Sequence, residues 1–91
     1  MSETSIIIVT FNNESTIKNC LESVIKNSKN CQIIVFDNAS SDKTVSIVEK
    51  FKQVILLKSD TNLGFSRANN LAAEKSEGQY LIFLNPDTKI K

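Results

Sequence analysis

The sequence predicts an α/β domain on a parallel sheet, with elements in the order β-α-β-α-β-α-β. Two observations carry this. Short continuous apolar runs occupy residues 5–9, 31–36, 54–57 and 80–84, as in strands buried on both faces. Between them, apolar residues recur at helical spacing, and alternation of the two periods implies right-handed crossovers with helices on the faces of the sheet.

Ser5-Ile6-Ile7-Ile8-Val9 is a β-branched run and forms the first strand. Thr10 to Asn13 is polar and turn-forming, with Asn13 placed to cap the next helix. That helix carries Ile17, Cys20, Leu21, Val24 and Ile25 on one stripe and ends in the polar cluster 27–30. Residues 31–36 form the second strand, which breaks into Asp37-Asn38-Ala39-Ser40-Ser41-Asp42. Ser40 or Ser41 can cap a second helix over 42–52, with Val45, Val48 and Phe51 inside and Asp42 near its positive end. The third strand covers 54–57. A third helix follows Asn62-Leu63-Gly64, with Phe65, Ala68, Leu71 and Ala72 as its inner face, and Gly78 fits its C-terminal stop. The last strand, 80–84, reads as buried and delivers Asn85-Pro86-Asp87 to its carboxyl end, where open parallel α/β sheets bind ligands.

Ninety-one residues make one small domain with a modest core. Lysine and arginine total 11 against 10 acidic residues, which gives no basic face for nucleic acid. The chain lacks histidine, so a histidine-cysteine zinc site and a serine-histidine triad are excluded. Cys20 and Cys31 have no metal-ligand spacing and read as small buried hydrophobes. No membrane span or signal peptide is legible. A cytoplasmic chain is expected, acting beside a membrane it does not enter.

Several polar residues gather at the predicted carboxyl edge, and each has two readings. Asp37 either hydrogen-bonds a ligand's base or ribose, or starts an Asx turn or caps the next helix. Asn62 and Gly64 either make a turn that needs positive φ or, with Ser66 and the first amides of the third helix, face an anion. Arg67 is either solvated or reaches a diphosphate. Asp87 is either a turn residue after Pro86 or the hard oxygen ligand that Mg²⁺ or Mn²⁺ takes beside phosphates. Asn12, Asn13, Asn38, Asn69 and Asn70 add neutral hydrogen-bonding groups, and this clustering favours a site.

Four ordered segments carry a resemblance beyond spacing: Val9-Thr10-Phe11-Asn12-Asn13; Asp37 to Asp42; Asn62-Leu63-Gly64-Phe65 with Asn69-Asn70; and Gly78-Gln79-Tyr80 with Leu84-Asn85-Pro86-Asp87. Together they resemble the start of a family 2 glycosyltransferase, above all its rhamnosyltransferase-like branch, from about Ser5 to Thr88. The resemblance implies the N-terminal half of a GT-A fold, a Rossmann-like sheet, here a truncated nucleotide-sugar-binding domain over residues 1–91. Thr10, Phe11 and Asn12 would lie in the first donor loop. Asp37 would hydrogen-bond the base or ribose with Asn38 beside it. The segment 62–70, with Asn62, Gly64 and Phe65, would wall the pocket near the diphosphate. Many relatives place an arginine where Asn69 stands, two residues after Arg67; no arginine role is carried onto Asn69, and Arg67 stays among the donor-binding candidates. Asn85-Pro86-Asp87 stands where many relatives carry Asp-x-Asp, so Asp87 would hold Mg²⁺ or Mn²⁺ across the two phosphates, stabilising charge on the leaving nucleoside diphosphate. Asn85 replaces the first acid and should weaken intrinsic metal affinity.

The implied reaction is inverting transfer from a nucleoside diphosphate sugar to a glycan, glycoprotein or lipid-linked acceptor. In the family, the acceptor-binding half follows the Asp-x-Asp strand and supplies the general base, which must reach the proton it takes. With Lys91 as the last residue, no catalytic residue is assigned, and donor binding is expected to exceed transfer. The exposed edge of the last strand predicts self-association. A non-catalytic binding or assembly module is the alternative. A receiver-type phosphoacceptor domain is weaker, because Thr10 to Asn13 offers no acidic pair for a cation.

Overall fold

The computed structural model describes residues 3–88, so the ends of the expected 1–91 unit lie outside the described residues. Four parallel strands, β1 (Thr4–Thr10), β2 (Cys31–Asp37), β3 (Val54–Lys58) and β4 (Tyr80–Leu84), form one sheet in the order β3-β2-β1-β4. They alternate along the chain with α1 (Ile17–Asn27), α2 (Thr44–Val48) and α3 (Phe65–Glu74).

The pleat of β1 divides the core in two. Ile6 and Ile8 face α1 and α2 and pack with Ile17, Leu21, Val24, Ile33, Val35 and Val48. Ile7 and Val9 face α3, with Ile34, Phe36, Ala68 and Ala72. Ala68 and Ala72 are fully buried, so α3 lies close against the sheet, as its small residues predict. Each buried isoleucine contributes about 1.5–3 kcal/mol relative to leaving it exposed, and β1 carries three in succession.

Several expectations need correction. Helix α2 is five residues long rather than spanning 42–52, because beyond it the amides of Lys50 and Phe51 donate to carbonyls three residues back, a tighter turn. Ser40 and Ser41 do not cap it; Asp42 Oδ1 accepts from the Thr44 amide instead. Asn13 does not cap α1, whose N-cap is Thr16; the Asn13 carbonyl accepts from Thr16 and Ile17 in the preceding turn, while its side chain turns back to accept from Phe11 N. Phe65 points outward, 57% exposed, so the inner face of α3 is Ala68 and Ala72 with Leu71 partly buried.

Gly78 is not the stop of α3, which ends at Glu74. A Cβ there would lie 2.7 Å from Ser5 N and Oγ and 2.9 Å from Glu3 O. Glycine is required by this close approach, which seats the start of β4 against the start of β1. Nor is β4 buried as its apolar run reads: Tyr80, Leu81, Ile82 and Phe83 are exposed, and among the described residues β4 is a sheet edge, in line with the exposed edge expected of the last strand. Cys20 is buried as expected, Cys31 only partly, and both are free thiols.

Candidate functional site

The strand order reverses direction at β1. From β1 the chain steps outward to β2 and β3, then returns to place β4 on the other side. Such a reversal opens a crevice outside the carboxyl ends of the strands. A cleft of about 380 Å³ lies there, lined by Val9, Phe11, Asn13, Asn38, Asn62, Gly64, Phe65, Asn85 and Pro86. Every strand end or the loop after it contributes, and the lining carries no formal charge.

Seven of the residues singled out from the sequence line this cleft: Phe11, Asn13, Asn38, Asn62, Gly64, Phe65 and Asn85. Phe11 and Phe65 are 47% and 57% exposed, so two aromatic faces border a space otherwise ringed by carboxamides. Asn38 is buried and holds the approach to α3, accepting from Leu63 N at 3.0 Å and donating to Gly64 O at 3.2 Å. Asn62 Oδ1 accepts from Gly64 N at 2.8 Å, an Asx turn that Gly64 completes at φ 84°. A Cβ at Gly64 would meet nothing within 4 Å, so its conformation, not space, calls for glycine.

The remaining candidates lie elsewhere. Thr10 and Asp37 are buried side by side at the ends of β1 and β2. Asp37 accepts from Thr10 Oγ1 and Ser40 Oγ, both at 2.6 Å, and from Ser40 N at 2.8 Å. Each carboxylate oxygen takes about two hydrogen bonds, so one acceptor position of Asp37 remains. Asn12, at φ 54°, turns its carboxamide away from the cleft onto Ser41 N at 2.8 Å. Arg67 is exposed on the first turn of α3 and is not part of the lining. Val9 and Pro86 line the cleft without having been assigned a site role. Their adjacency to strand ends was the available signal.

Asp87 is exposed and directly follows the Asn85-Pro86 wall. The turn is closed by Thr88 N donating to Asn85 O at 3.0 Å. Cys20, from α1, reaches the same carbonyl with its sulfur at 3.8 Å. Burial pushes the Cys20 thiol up, the Asp87 charge adds to this, and a hydrogen bond from the Thr88 backbone partly offsets both. The thiol therefore stays protonated and donates.

Among the described residues, no group of three or more His, Cys, Asp or Glu gathers to hold a metal ion. Asp87 supplies one hard oxygen. Mg²⁺ is commonly held by one or two carboxylates together with substrate phosphates, so the residues fit a divalent cation in company with a diphosphate, not alone. No helix among the described residues is long and apolar enough to cross a membrane.

Comparison with known proteins matches this arrangement. Residues 5–91 match the family described as Glycosyl transferase family 2. The chain is 36% identical to UDP-Glc:alpha-D-GlcNAc-diphosphoundecaprenol beta-1,3-glucosyltransferase WfaP of Escherichia coli, over 96% of this chain and 36% of that protein. It is 32% identical to poly(ribitol-phosphate) beta-N-acetylglucosaminyltransferase TarS of Staphylococcus aureus, over 99% of this chain and 17% of that protein. It thus spans about a third or less of these relatives. The crystal structure of S. aureus TarS 1–349 superposes with a TM-score of 0.91 at 30% identity, covering 100% of this chain and 29% of that one. The mannosyltransferase PcManGT of Pyrobaculum calidifontis, in complex with GDP-Man and Mn²⁺, shares the fold at 21% identity and a TM-score of 0.87, over 93% of this chain and 27% of that one. Strand order, cleft position and these likenesses agree: the chain belongs to glycosyltransferase family 2 and carries the N-terminal portion of a GT-A fold.

Proposed function

We propose that the cleft binds the nucleotide of a nucleoside diphosphate sugar, as the donor half of an inverting glycosyltransferase. The observation that carries this is the uncharged, aromatic-bordered cleft at the point where the strand order reverses. A base is a flat, neutral ring with several donors and acceptors. It suits Phe11 and Phe65 as apolar faces, worth about 0.5–1.5 kcal/mol beyond buried area for an aromatic pair, with carboxamides at its rim. S. aureus TarS 1–349 in complex with UDP is also among the matching structures, at a TM-score of 0.86.

In this reading the diphosphate leaves the cleft past Asn85 and Pro86 towards Asp87. Asp87 would hold Mg²⁺ or Mn²⁺ beside the phosphates, where the ion would supply charge stabilisation for the departing diphosphate. Arg67 lies outside the lining and, with the first amides of α3, acts on the phosphates. Asp37, with Thr10 and Asn12, supports the loops and offers its one remaining acceptor position to the nucleotide. The acceptor is a glycan, glycoprotein or lipid-linked group, and the chain works on the cytoplasmic side of a membrane.

Titration calorimetry with UDP, GDP and dTDP, with and without Mn²⁺, tests the reading. One nucleotide should bind, and Asp87→Ala should remove the metal dependence while leaving metal-free binding in place. No binding by any of the three would overturn it.

The exposed edge favours a second reading, self-association. Tyr80-Leu81-Ile82-Phe83-Leu84 carries no charge, so two copies can pair antiparallel about a two-fold axis without repulsion, each satisfying the other's edge amides. Light scattering at high concentration should then report a dimer that Ile82→Lys dissociates; a monomer throughout would contradict it.

A further inference from the structure

Three consecutive backbone amides of the loop between β1 and α1 are each captured by a different side chain, two from the loop between β2 and α2 and one from Thr44, the first residue of α2. Asn12 N donates to Ser40 Oγ at 2.8 Å, Asn13 N to Thr44 Oγ1 at 2.8 Å, and Glu14 N to Asp42 Oδ2 at 3.1 Å. The acceptors are themselves anchored. Ser40 Oγ donates to the buried Asp37 carboxylate, and Thr44 Oγ1 donates to Asp42 Oδ1 at 2.5 Å. In return, Asn12 Oδ1 accepts from Ser41 N. The clasped loop carries Phe11 and Asn13, one wall of the cleft.

We propose that Ser40, Asp42 and Thr44 are positioning residues for the donor cleft. They touch no ligand; they hold the 11–14 loop so that Phe11 and Asn13 face the cleft before a nucleotide arrives. This rests on the donor-cleft reading above. The clasp also determines what kind of recognition the loop performs. With the amides of Asn12, Asn13 and Glu14 already donating, the loop offers no nest of free N–H groups for a phosphate, and meets the ligand with side chains instead. An ordered loop does not have to be fixed at the moment of binding, so the clasp contributes affinity without a contact.

A merely structural clasp would lower the melting temperature and leave the affinity of the folded protein unchanged. The test therefore reads both. Thr44→Val removes the bonding hydroxyl at a fully buried position with little change of shape, and Thr44→Ser restores it. Ser40→Ala breaks the neighbouring link should Thr44→Val fail to fold, and Ser46→Ala, on the same helix with its hydroxyl donating to Lys43 O, is the control. We expect Thr44→Val to speed amide exchange at Asn13 and Glu14 and to weaken UDP binding about tenfold through lost pre-organisation. Thr44→Ser should return the affinity, and Ser46→Ala should not change it. Faster exchange with unchanged affinity would overturn the positioning role alone. Absence of any UDP or GDP binding by the unaltered chain would instead overturn the donor-cleft reading, and this assignment with it.

Discussion

Strands β1 and β4 are neighbours in one parallel sheet, and in sequence they look alike: Ile6-Ile7-Ile8-Val9 and Leu81-Ile82-Phe83-Leu84 are both unbroken apolar runs. In the structure they differ. Ile7 and Ile8 are fully buried, whereas Ile82 and Phe83 are 44% and 49% exposed. Burial is a property of what lies on either side of a strand, not of the strand. β1 has a partner on each edge and helices on both faces, while among the described residues β4 pairs with β1 on one edge only. The two strands thus do different work: β1 holds the fold, and β4 brings the Asn85 to Asp87 turn to the cleft and leaves an apolar edge open.

Truncations sharpen this contrast most. Ile8→Ala should cost about 3 kcal/mol by creating a core cavity, whereas Ile82→Ala, at a half-exposed site, should cost less than about 1 kcal/mol. Denaturant unfolding of both variants measures the difference, and equal losses would mean that β4 is covered in solution.

Gly78→Ala tests where the two strands are joined. A methyl group against the backbone of Ser5 and Glu3 should cost about 1–3 kcal/mol, read in the same way. A neutral outcome would mean that the start of β4 moves freely relative to β1.

Acid titration probes the loops above β1. Desolvation pushes the Asp42 carboxyl up, but hydrogen bonds from the Thr44 hydroxyl and from the amides of Thr44 and Glu14 outweigh it and hold the group below its usual range. A depressed folded value means that the stability Asp42 contributes is present above the unfolded carboxylate value, about 3.9, and is lost as pH falls through the lower folded value. Asp42→Asn should flatten melting temperature against pH in that acid window and leave its slope near neutrality unchanged.

The smallest effect is expected at Ala39, which sits at φ 64°. An L-residue there is strained by about 1–2 kcal/mol, partly offset by the extra chain entropy that glycine loses. Ala39→Gly should stabilise by about 0.5 kcal/mol in thermal unfolding.

Most of the fold was legible because apolar runs and helical stripes report the periods of strand and helix directly. The Asn62-Leu63-Gly64 turn and the Asn85-Pro86-Asp87 strand end were legible for the same local reason. What escaped depends on partners distant in sequence. Phe65 fits the inner stripe of α3 by spacing, yet turns outward to border the cleft. Gly78 reads as a helix stop until Ser5 is placed beside it. Asp37 reads equally well as ligand or turn residue; Ser40, three positions on and donating to it from both amide and hydroxyl, was the local sign that most of its acceptor positions are used within the chain. Asn12 and Asn13 are adjacent and chemically identical, and only the left-handed turn at Asn12 sends one side chain to the neighbouring loop and leaves the other residue in the cleft wall.

The central claim is that a nucleotide occupies the cleft at the carboxyl ends of the strands. The most direct measurement is a residue-resolved NMR titration of the chain with UDP and with GDP, each with and without Mn²⁺. The account predicts that one of them shifts the amides of Phe11, Asn13, Asn62, Gly64, Phe65 and Asn85 in a saturable manner, with Asp87 joining when Mn²⁺ is replaced by diamagnetic Mg²⁺. Shifts confined to Tyr80–Phe83, or none at saturating nucleotide, would contradict it.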